Sequence, residues 1–183
     1  CSSDLQQLVE IAATPGEEVL FPWRSFESYP IAVPTVGADP VPVPLLPDGS
    51  HDLVAMREAI TDDAVALILC SPNNPTGPAL TYEEIASFVA DAPDDVMIIV
   101  DEAYIDFATK PGVRTAVPLI ATHPNVVVMR TFSKAHALAG VRVGYAIGDA
   151  EVIGAIQSLL VPFGVNSLAL AAALASLADA EGV

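Results

Sequence analysis

The order of apolar and polar positions along the chain predicts helices that alternate with strands. Leu5, Leu8, Val9 and Ala12 recur at helical spacing and predict a helix over residues 3–13. Continuous apolar runs of strand length follow at residues 17–21, 64–70, 96–104, 125–131 and 141–148. Such runs are typical of strands that are buried on both faces of a parallel sheet.

Capping residues predict where the intervening helices begin. Asp52 is expected to cap one helix, and Thr81 with Glu84 forms a capping-box sequence for a second helix that ends near residue 91. Residues 39–45 alternate valine with proline, which cannot donate to a ladder, so they predict an edge strand or an extended connector. The whole pattern predicts an α/β fold, a three-layer α/β/α domain around a mostly parallel sheet.

The uncharged stretch 152–178 is long enough to resemble a membrane span. Pro162 and Gly164 interrupt it, and Asn166 is a good N-cap for a second helix. We therefore expect two helices of a soluble protein there, with no membrane partner.

Composition narrows the class of protein. A net charge of -16 argues against a nucleic-acid surface, which needs clustered basic residues. The two cysteines, Cys1 and Cys70, make no disulfide framework, which favours a cytoplasmic location. The sequence also suggests no metal site.

Because the chain begins at Cys1 and ends at Glu181-Gly182-Val183, we expect an interior segment of a larger protein, forming one domain over residues 1–183.

Polar motifs follow three of the predicted strands. SPNNPTG (71–77) follows the strand at 64–70, Asp101 lies near the end of the next apolar run, and Lys134 follows the strand at 125–131. In parallel sheets, ligands bind where strands end, so these motifs are expected to converge on one pocket. Taken alone, SPNNPTG is equally well explained as a turn, in which Asn73 caps the turn and Asn74 is left for a ligand.

Lys134 is the strongest candidate for chemistry because the chain contains only one other lysine, Lys110. A lysine amine that is partly unprotonated is a Schiff-base nucleophile. Thr131, Ser133 and Arg142 nearby are residue types that hold an anion such as a cofactor phosphate. The alternative to a catalytic lysine is an ordinary solvated lysine at the surface.

Three further residues fit a planar, cationic cofactor. A carboxylate at Asp101, at the end of an apolar strand, is costly unless it is paired, and a protonated pyridine nitrogen would pair with it. Glu102 should point the other way, Tyr104 could reach a phenolic oxygen, and Phe26 could stack on a ring. The alternatives are a turn-capping role for Asp101 and ordinary core packing for Phe26.

In order and spacing, SPNNPTG, DEAYIDF and TFSKAHALAGVRVG resemble fold-type I pyridoxal phosphate aminotransferases of the histidinol-phosphate aminotransferase group. FPWRSFESYP and LVPFGVNSLALAAALASL are most similar to the actinobacterial aromatic amino acid aminotransferase branch. The resemblance covers essentially the whole chain. It implies a cytoplasmic homodimer of amino-acid biosynthesis that uses pyridoxal 5'-phosphate, with shared active sites.

The resemblance also implies a role for each matching residue. Lys134 would bind the cofactor covalently and move the substrate proton, and Asp101 would pair with the ring nitrogen. The remaining roles are a ring-oxygen contact for Asn74 and Tyr104, ring stacking for Phe26, and phosphate binding for Thr131, Ser133 and Arg142. Ser2, Ser3 and Asp4 match the family's other phosphate contacts only loosely, and His136 stands where relatives more often have an aromatic residue.

Residues 1–183 are therefore interpreted as part of the large cofactor-binding domain, without the N-terminal arm and the C-terminal small domain. The implied reaction moves an amino group between an aromatic amino acid and a 2-oxo acid such as 2-oxoglutarate. Histidinol phosphate is the alternative substrate, and a non-catalytic binding or assembly domain is the alternative from another class. We expect the isolated chain to bind cofactor weakly without useful transamination, an expectation that measurable turnover by the isolated chain would contradict.

Overall fold

A six-stranded sheet with helices against both faces organises the computed structural model, which describes residues 2–160 and 162–179 and their side chains from residue 5 onward. The strands are β1 (Glu18–Trp23), β2 (Asp39–Pro44), β3 (Ala64–Cys70), β4 (Met97–Asp101), β5 (Val126–Thr131) and β6 (Gly144–Ile147). The helices are α1 (Ser2–Ala12), α2 (Tyr29–Thr35), α3 (Leu53–Glu58), α4 (Tyr82–Asp91), α5 (Ala150–Leu159) and α6 (Ser167–Ala178). Short 3₁₀ helices cover Ile105–Phe107, Val117–Ala121 and Ala139–Val141.

The strand order in the sheet is β2-β1-β3-β4-β5-β6, and its first five strands are parallel. Only β6 runs antiparallel to its neighbour β5. The mostly parallel sheet and the edge position of the proline-rich β2 are both confirmed. Because β1, β3, β4 and β5 are parallel, their carboxyl ends lie at the same edge of the sheet, where the polar motifs follow them.

Each face of the sheet carries its own apolar core, as the continuous apolar runs predicted. Along β3, Ile68 and Cys70 pack with Leu8 and Phe21 on the face that α1, α2 and α5 cover. Leu67 and Leu69 of the same strand pack against the opposite face with Met56, Ile85 and Phe88, on the side of α3 and α4. The three-layer prediction is therefore confirmed.

The predicted capping residues begin their helices. The Asp52 carboxylate accepts from the Ala55 N–H at 2.9 Å. Thr81 Oγ1 accepts from the Glu84 N–H at 3.2 Å, while the Glu84 carboxylate accepts from the Thr81 N–H at 2.6 Å, which completes the capping box. The predicted helix starts are thus confirmed.

Two strands are shorter than the apolar runs that predicted them. β4 ends at Asp101, because the chain then turns into the 3₁₀ helix at Ile105–Phe107. β6 begins at Gly144, because Arg142 has a left-handed backbone with φ of 58°, which cannot continue a strand. Apolarity alone marks the strands but not their ends, since β1 in turn continues to Trp23, two residues beyond its predicted end.

The uncharged stretch 152–178 forms most of α5 and all of α6, as predicted, and Asn166 accepts from the Ala169 N–H at 2.9 Å to begin α6. Among the described residues, no helix has both the length and the apolar character needed to cross a membrane.

Candidate active site

Five of the predicted site residues line one narrow cavity of about 40 Å³ at the carboxyl edge of the sheet. Its walls are Phe26, Cys70, Asn74, Asp101, Ala103, Tyr104 and Lys134. These residues come from the segments that follow β1, β3, β4 and β5 and from the last residues of β3 and β4. The parallel strands therefore bring the three polar motifs together.

Asp101 is the buried charge of the site. Asp101 is the last residue of β4 and is only 7% exposed. Its Oδ2 accepts from the Tyr29 hydroxyl at 2.8 Å and its Oδ1 accepts from the Ala103 N–H at 3.0 Å. Burial raises the pKa of Asp101, and these two hydrogen bonds oppose that rise. Since the Ala103 bond also makes Asp101 the cap of the following turn, the turn-capping reading is partly right.

No ion pair neutralises Asp101 within the described part of the chain. A buried carboxylate without a cation is costly, because desolvation penalises its charged form. A cationic group bound in the cavity would recover part of that cost.

Tyr29, which donates a hydrogen bond to Asp101, was not predicted from the sequence as a site residue. It lies at the start of α2, is fully buried, and packs between the rings of Phe21 and Phe26, whose centroids are 6.0 and 5.7 Å from its own. Burial, and then the charge of Asp101, raise the pKa of the Tyr29 hydroxyl, so it remains a donor. Its only sequence signal is the aromatic spacing of Phe26 and Tyr29, which does not identify Asp101 as its partner.

Glu102 points to the opposite side of β4 from Asp101, as predicted. Its Oε2 accepts from Nε and Nη2 of Arg130 at 3.0 and 2.9 Å, and its Oε1 accepts from the Ala116 N–H at 2.6 Å. Burial lowers the pKa of Arg130, but attraction to Glu102 outweighs it, so the pKa is raised overall. Glu102 is thus a structural residue, since both of its carboxylate oxygens accept hydrogen bonds from neighbouring segments.

The two asparagines of SPNNPTG have different surroundings: Asn73 is bonded within the loop region and Asn74 lines the cavity. Asn73 is buried, its Oδ1 accepts from Ser25 Oγ at 2.6 Å, and its Nδ2 donates to Arg24 O and Thr76 Oγ1 at 3.2 and 2.7 Å. Asn74 lines the cavity, and its side chain makes no hydrogen bond to any described residue. The prediction that Asn73 holds the turn is confirmed, and the Asn74 amide is left available.

Lys134 is exposed and lies beside Tyr104, with its Nζ 4.9 Å from the centroid of the Tyr104 ring. Over the residues that the structure describes, Lys134 takes part in no ion pair. The other lysine, Lys110, instead donates to the carbonyl of Ala79 at 3.0 Å and lies 4.0 Å from the Glu84 carboxylate. Of the two lysines, Lys134 is the one whose amine faces the cavity.

The three predicted phosphate-binding residues are not in the walls of this cavity. Thr131 is buried, and its Oγ1 accepts from the Ser133 N–H at 3.0 Å, which fixes the turn that leads to the lysine. Arg142 is exposed, donates from Nη1 to the carbonyl of Ala139 at 2.7 Å, and forms no ion pair with described residues. The side chains at positions 2–4 lie outside the described residues.

Comparison with known proteins gives a family match over the whole chain. The family described as "Aminotransferase class I and II" matches residues 1–183. An aromatic amino acid aminotransferase of Corynebacterium glutamicum (strain R) is 49% identical over 176 residues, which are 96% of this chain and 52% of that protein. A protein of the same name from Mycobacteroides abscessus is 51% identical, with 96% and 50% coverage.

Solved structures match as well. The histidinol-phosphate aminotransferase of Sinorhizobium meliloti, in complex with pyridoxal-5'-phosphate, has a TM-score of 0.89 at 30% identity, covering 96% of this chain and 47% of that one. The enzyme of the same name from Clostridium acetobutylicum has a TM-score of 0.87 at 27% identity, with 99% and 53% coverage. The chain spans about half the length of the curated relatives it matches.

His51 is a buried imidazole close to the SPNNPTG loop. It is 6% exposed, and neither ring nitrogen has a hydrogen-bond partner among the described residues. The segment before it is tied to the loop by the bond from Thr76 Oγ1 to the carbonyl of Gly49, at 2.8 Å. Burial lowers the pKa of His51 to about 4, and the nearby side chain of Asn73 raises that pKa by a smaller amount. His51 is therefore neutral in the folded protein.

We predict that His51 makes folding sensitive to acid. Its pKa is lower folded than unfolded, so the unfolded chain binds the proton first and stability falls as the pH drops from about 6.5 towards 4. Between pH 7 and 4.5, the loss of unfolding free energy in urea titrations should be about 2 kcal/mol larger for the wild type than for His51→Asn. His123→Asn, at a histidine hydrogen-bonded to Thr122, is the control. Equal pH dependence in the wild type and His51→Asn would contradict the prediction.

Proposed function

The chain belongs to the class I and II aminotransferases, and from that membership we propose that the whole protein moves an amino group between an aromatic amino acid and a 2-oxo acid such as 2-oxoglutarate. The name shared by relatives that are 49 and 51% identical supports the aromatic substrate. The observation that carries the chemistry is the cavity that pairs an exposed lysine, Lys134, with a buried carboxylate, Asp101.

The residues present fit pyridoxal phosphate. The buried polar group in the wall is the Asp101 carboxylate, which forms no ion pair with described residues and suits a protonated pyridine nitrogen, and the aromatic ring of Phe26 forms another wall. An uncommitted amide at Asn74 and a phenol at Tyr104 suit the ring oxygen. When it is bound, this cofactor supplies an aldehyde that reacts with amines and a ring that withdraws electrons.

In this proposal Lys134 is both the covalent anchor and the proton carrier. Lys134 lies in the wall of the cavity and forms no ion pair with a described carboxylate. The Nζ atom would act as a general base that takes the proton from the substrate Cα and as a general acid that delivers the same proton to the cofactor. Tyr104, against which the Nζ packs at 4.9 Å from the ring centroid, limits where that amine can point.

The other site residues are proposed to hold the cofactor in place. We propose that Asp101 keeps the ring nitrogen protonated, Phe26 stacks on the ring, and Asn74 and Tyr104 contact its oxygen. Thr131, Ser133 and Arg142 would hold the phosphate. For Arg142 this proposal is supported by an exposed guanidinium that no carboxylate of the described residues neutralises. Its present bond to the Ala139 carbonyl uses Nη1 and leaves other donors of the guanidinium fork.

We also propose that residues 1–183 are part of the large cofactor-binding domain and that the whole protein is a cytoplasmic homodimer of amino-acid biosynthesis with shared active sites. Four leucines on α6 are half or more exposed in this chain, which leaves an apolar face to be covered by the rest of the whole protein or by a second copy: Leu168, Leu170, Leu174 and Leu177. Light scattering on the whole protein tests the dimer, and a monomer at all concentrations would contradict it.

Histidinol phosphate is the second candidate substrate. It is favoured by the structural matches to two enzymes of that name, with TM-scores of 0.89 and 0.87. Their identities of 30 and 27% are well below the 49 and 51% of the aromatic aminotransferases, which is why the aromatic substrate is preferred.

Covalent trapping should identify Lys134. The whole protein is incubated with pyridoxal phosphate and reduced with borohydride, and the modified peptide is located by mass spectrometry. We predict the label on Lys134 and its loss in Lys134→Ala, while Lys110→Ala, a change at the surface lysine bonded to Ala79, keeps it. Label on Lys110, or unchanged label in Lys134→Ala, would show that the assignment is wrong.

A screen of amino donors separates the two substrates. With 2-oxoglutarate as acceptor, we predict that phenylalanine or tyrosine gives a kcat/KM at least about tenfold above that of histidinol phosphate, since favourable contacts in a fitted pocket are worth a factor of that order. Formation of glutamate is measured with a coupled assay. The reverse order would transfer the assignment to histidinol phosphate, and no turnover with any donor would favour a non-catalytic domain.

A further inference from the structure

Tyr29 has no role in the proposed chemistry, although it forms a hydrogen bond to the carboxylate on which that chemistry depends. Its hydroxyl donates to Oδ2 of Asp101 at 2.8 Å. Within the described residues it is the only side chain that donates a hydrogen bond to that carboxylate, since the other donor is the backbone N–H of Ala103. The contact joins the start of α2 to the end of β4.

From this geometry we propose that Tyr29 is a positioning residue, whose hydroxyl keeps the Asp101 carboxylate ionised and oriented towards the ring nitrogen of the cofactor. This inference rests on the proposed function, because it assumes that a cationic ring occupies the cavity. Tyr29 does not line that cavity, so it acts through Asp101 and not on the cofactor itself.

The environment of Asp101 explains why one donor matters. Besides Tyr29, the titratable side chains near it among the described residues are Cys70, Tyr104 and Lys134 in the cavity wall and Glu102 next in sequence. Cys70 is neutral, because burial raises its pKa to about 12, and Glu102 opposes the Asp101 charge. Lys134 is committed to the cofactor in the proposed function. The Tyr29 hydroxyl is thus the remaining side-chain group that stabilises the charge.

The hydroxyl cannot be replaced by solvent. Tyr29 has no exposed surface, and the rings of Phe21 and Phe26 pack against it. A buried acceptor that loses its donor pays the full desolvation penalty, and bonds to an ionised acceptor are stronger than neutral ones. The Phe26 contact also means that the ring proposed to stack on the cofactor and the ring that supports Asp101 hold each other in place.

The test uses the whole protein and pyridoxal phosphate with the variants Tyr29→Phe, Asp101→Asn and the double variant. Tyr82→Phe is the matched control, because Tyr82 packs with the core on the other face of the sheet, against Arg114. Two properties are measured: the cofactor dissociation constant, and the pH at which cofactor binding is lost on acidification. The Asp101 carboxyl is also titrated by ¹³C NMR in the apoprotein.

Tyr29→Phe should weaken cofactor binding about tenfold, because a hydrogen bond to a charged group is worth a factor of that order. Removing the donor raises the pKa of Asp101, so binding should fail at a higher pH, by about one unit, than in the wild type. In the Asp101→Asn background, the same substitution should change the dissociation constant less than about twofold, since no carboxylate charge is left to stabilise.

Wild-type binding and an unshifted pH midpoint in Tyr29→Phe would overturn the proposal. An equally large effect in the Asp101→Asn background would also overturn it, since Tyr29 would then act through packing. If the wild type binds no cofactor, the proposed function fails, and the ¹³C titration still decides whether Tyr29 lowers the pKa of Asp101. If Tyr29→Phe does not fold, the wild-type titration decides: an Asp101 that is still protonated at pH 7 contradicts the proposal.

Discussion

The buried carboxylate of Asp101 is the constraint on which the site depends. It lies at the end of β4, in the middle of a parallel sheet whose two faces are covered, so water cannot solvate it. Removing a charge from water costs several kcal/mol unless partners replace the solvent. The Tyr29 hydroxyl and the Ala103 N–H supply two partners, but no described residue supplies a cation. In the proposed function, a cationic ring bound beside Asp101 supplies that charge.

Two adjacent carboxylates show how β4 separates structure from chemistry. Successive side chains of a strand point to opposite faces, so Asp101 and Glu102 diverge. Glu102 accepts from Arg130 on β5 and from the Ala116 N–H, and these contacts join two segments to the sheet. Both of its oxygens are thus used in the fold. Asp101, one residue earlier, is left with its charge directed at the cavity.

Much of this arrangement could be predicted from the sequence, because it depends on local patterns. Continuous apolar runs gave the parallel sheet, Thr81 with Glu84 gave a helix start, and parallel strands bring their carboxyl ends together. The contact of Tyr29 with Asp101 could not be predicted, since it spans 72 residues and is set by the packing of α2 on the sheet. The left-handed backbone at Arg142, which shortens β6, also has no local signature, as arginine is not a residue that favours it.

In the proposed function, Asp101 holds a protonated ring nitrogen at the carboxyl edge of the sheet. The most direct test is ¹⁵N NMR of the whole protein loaded with pyridoxal phosphate that is labelled at the ring nitrogen. At neutral pH, we expect a protonated nitrogen in the wild type and an unprotonated one in Asp101→Asn. An unprotonated nitrogen in the wild type, or a protonated one in both proteins, would contradict it.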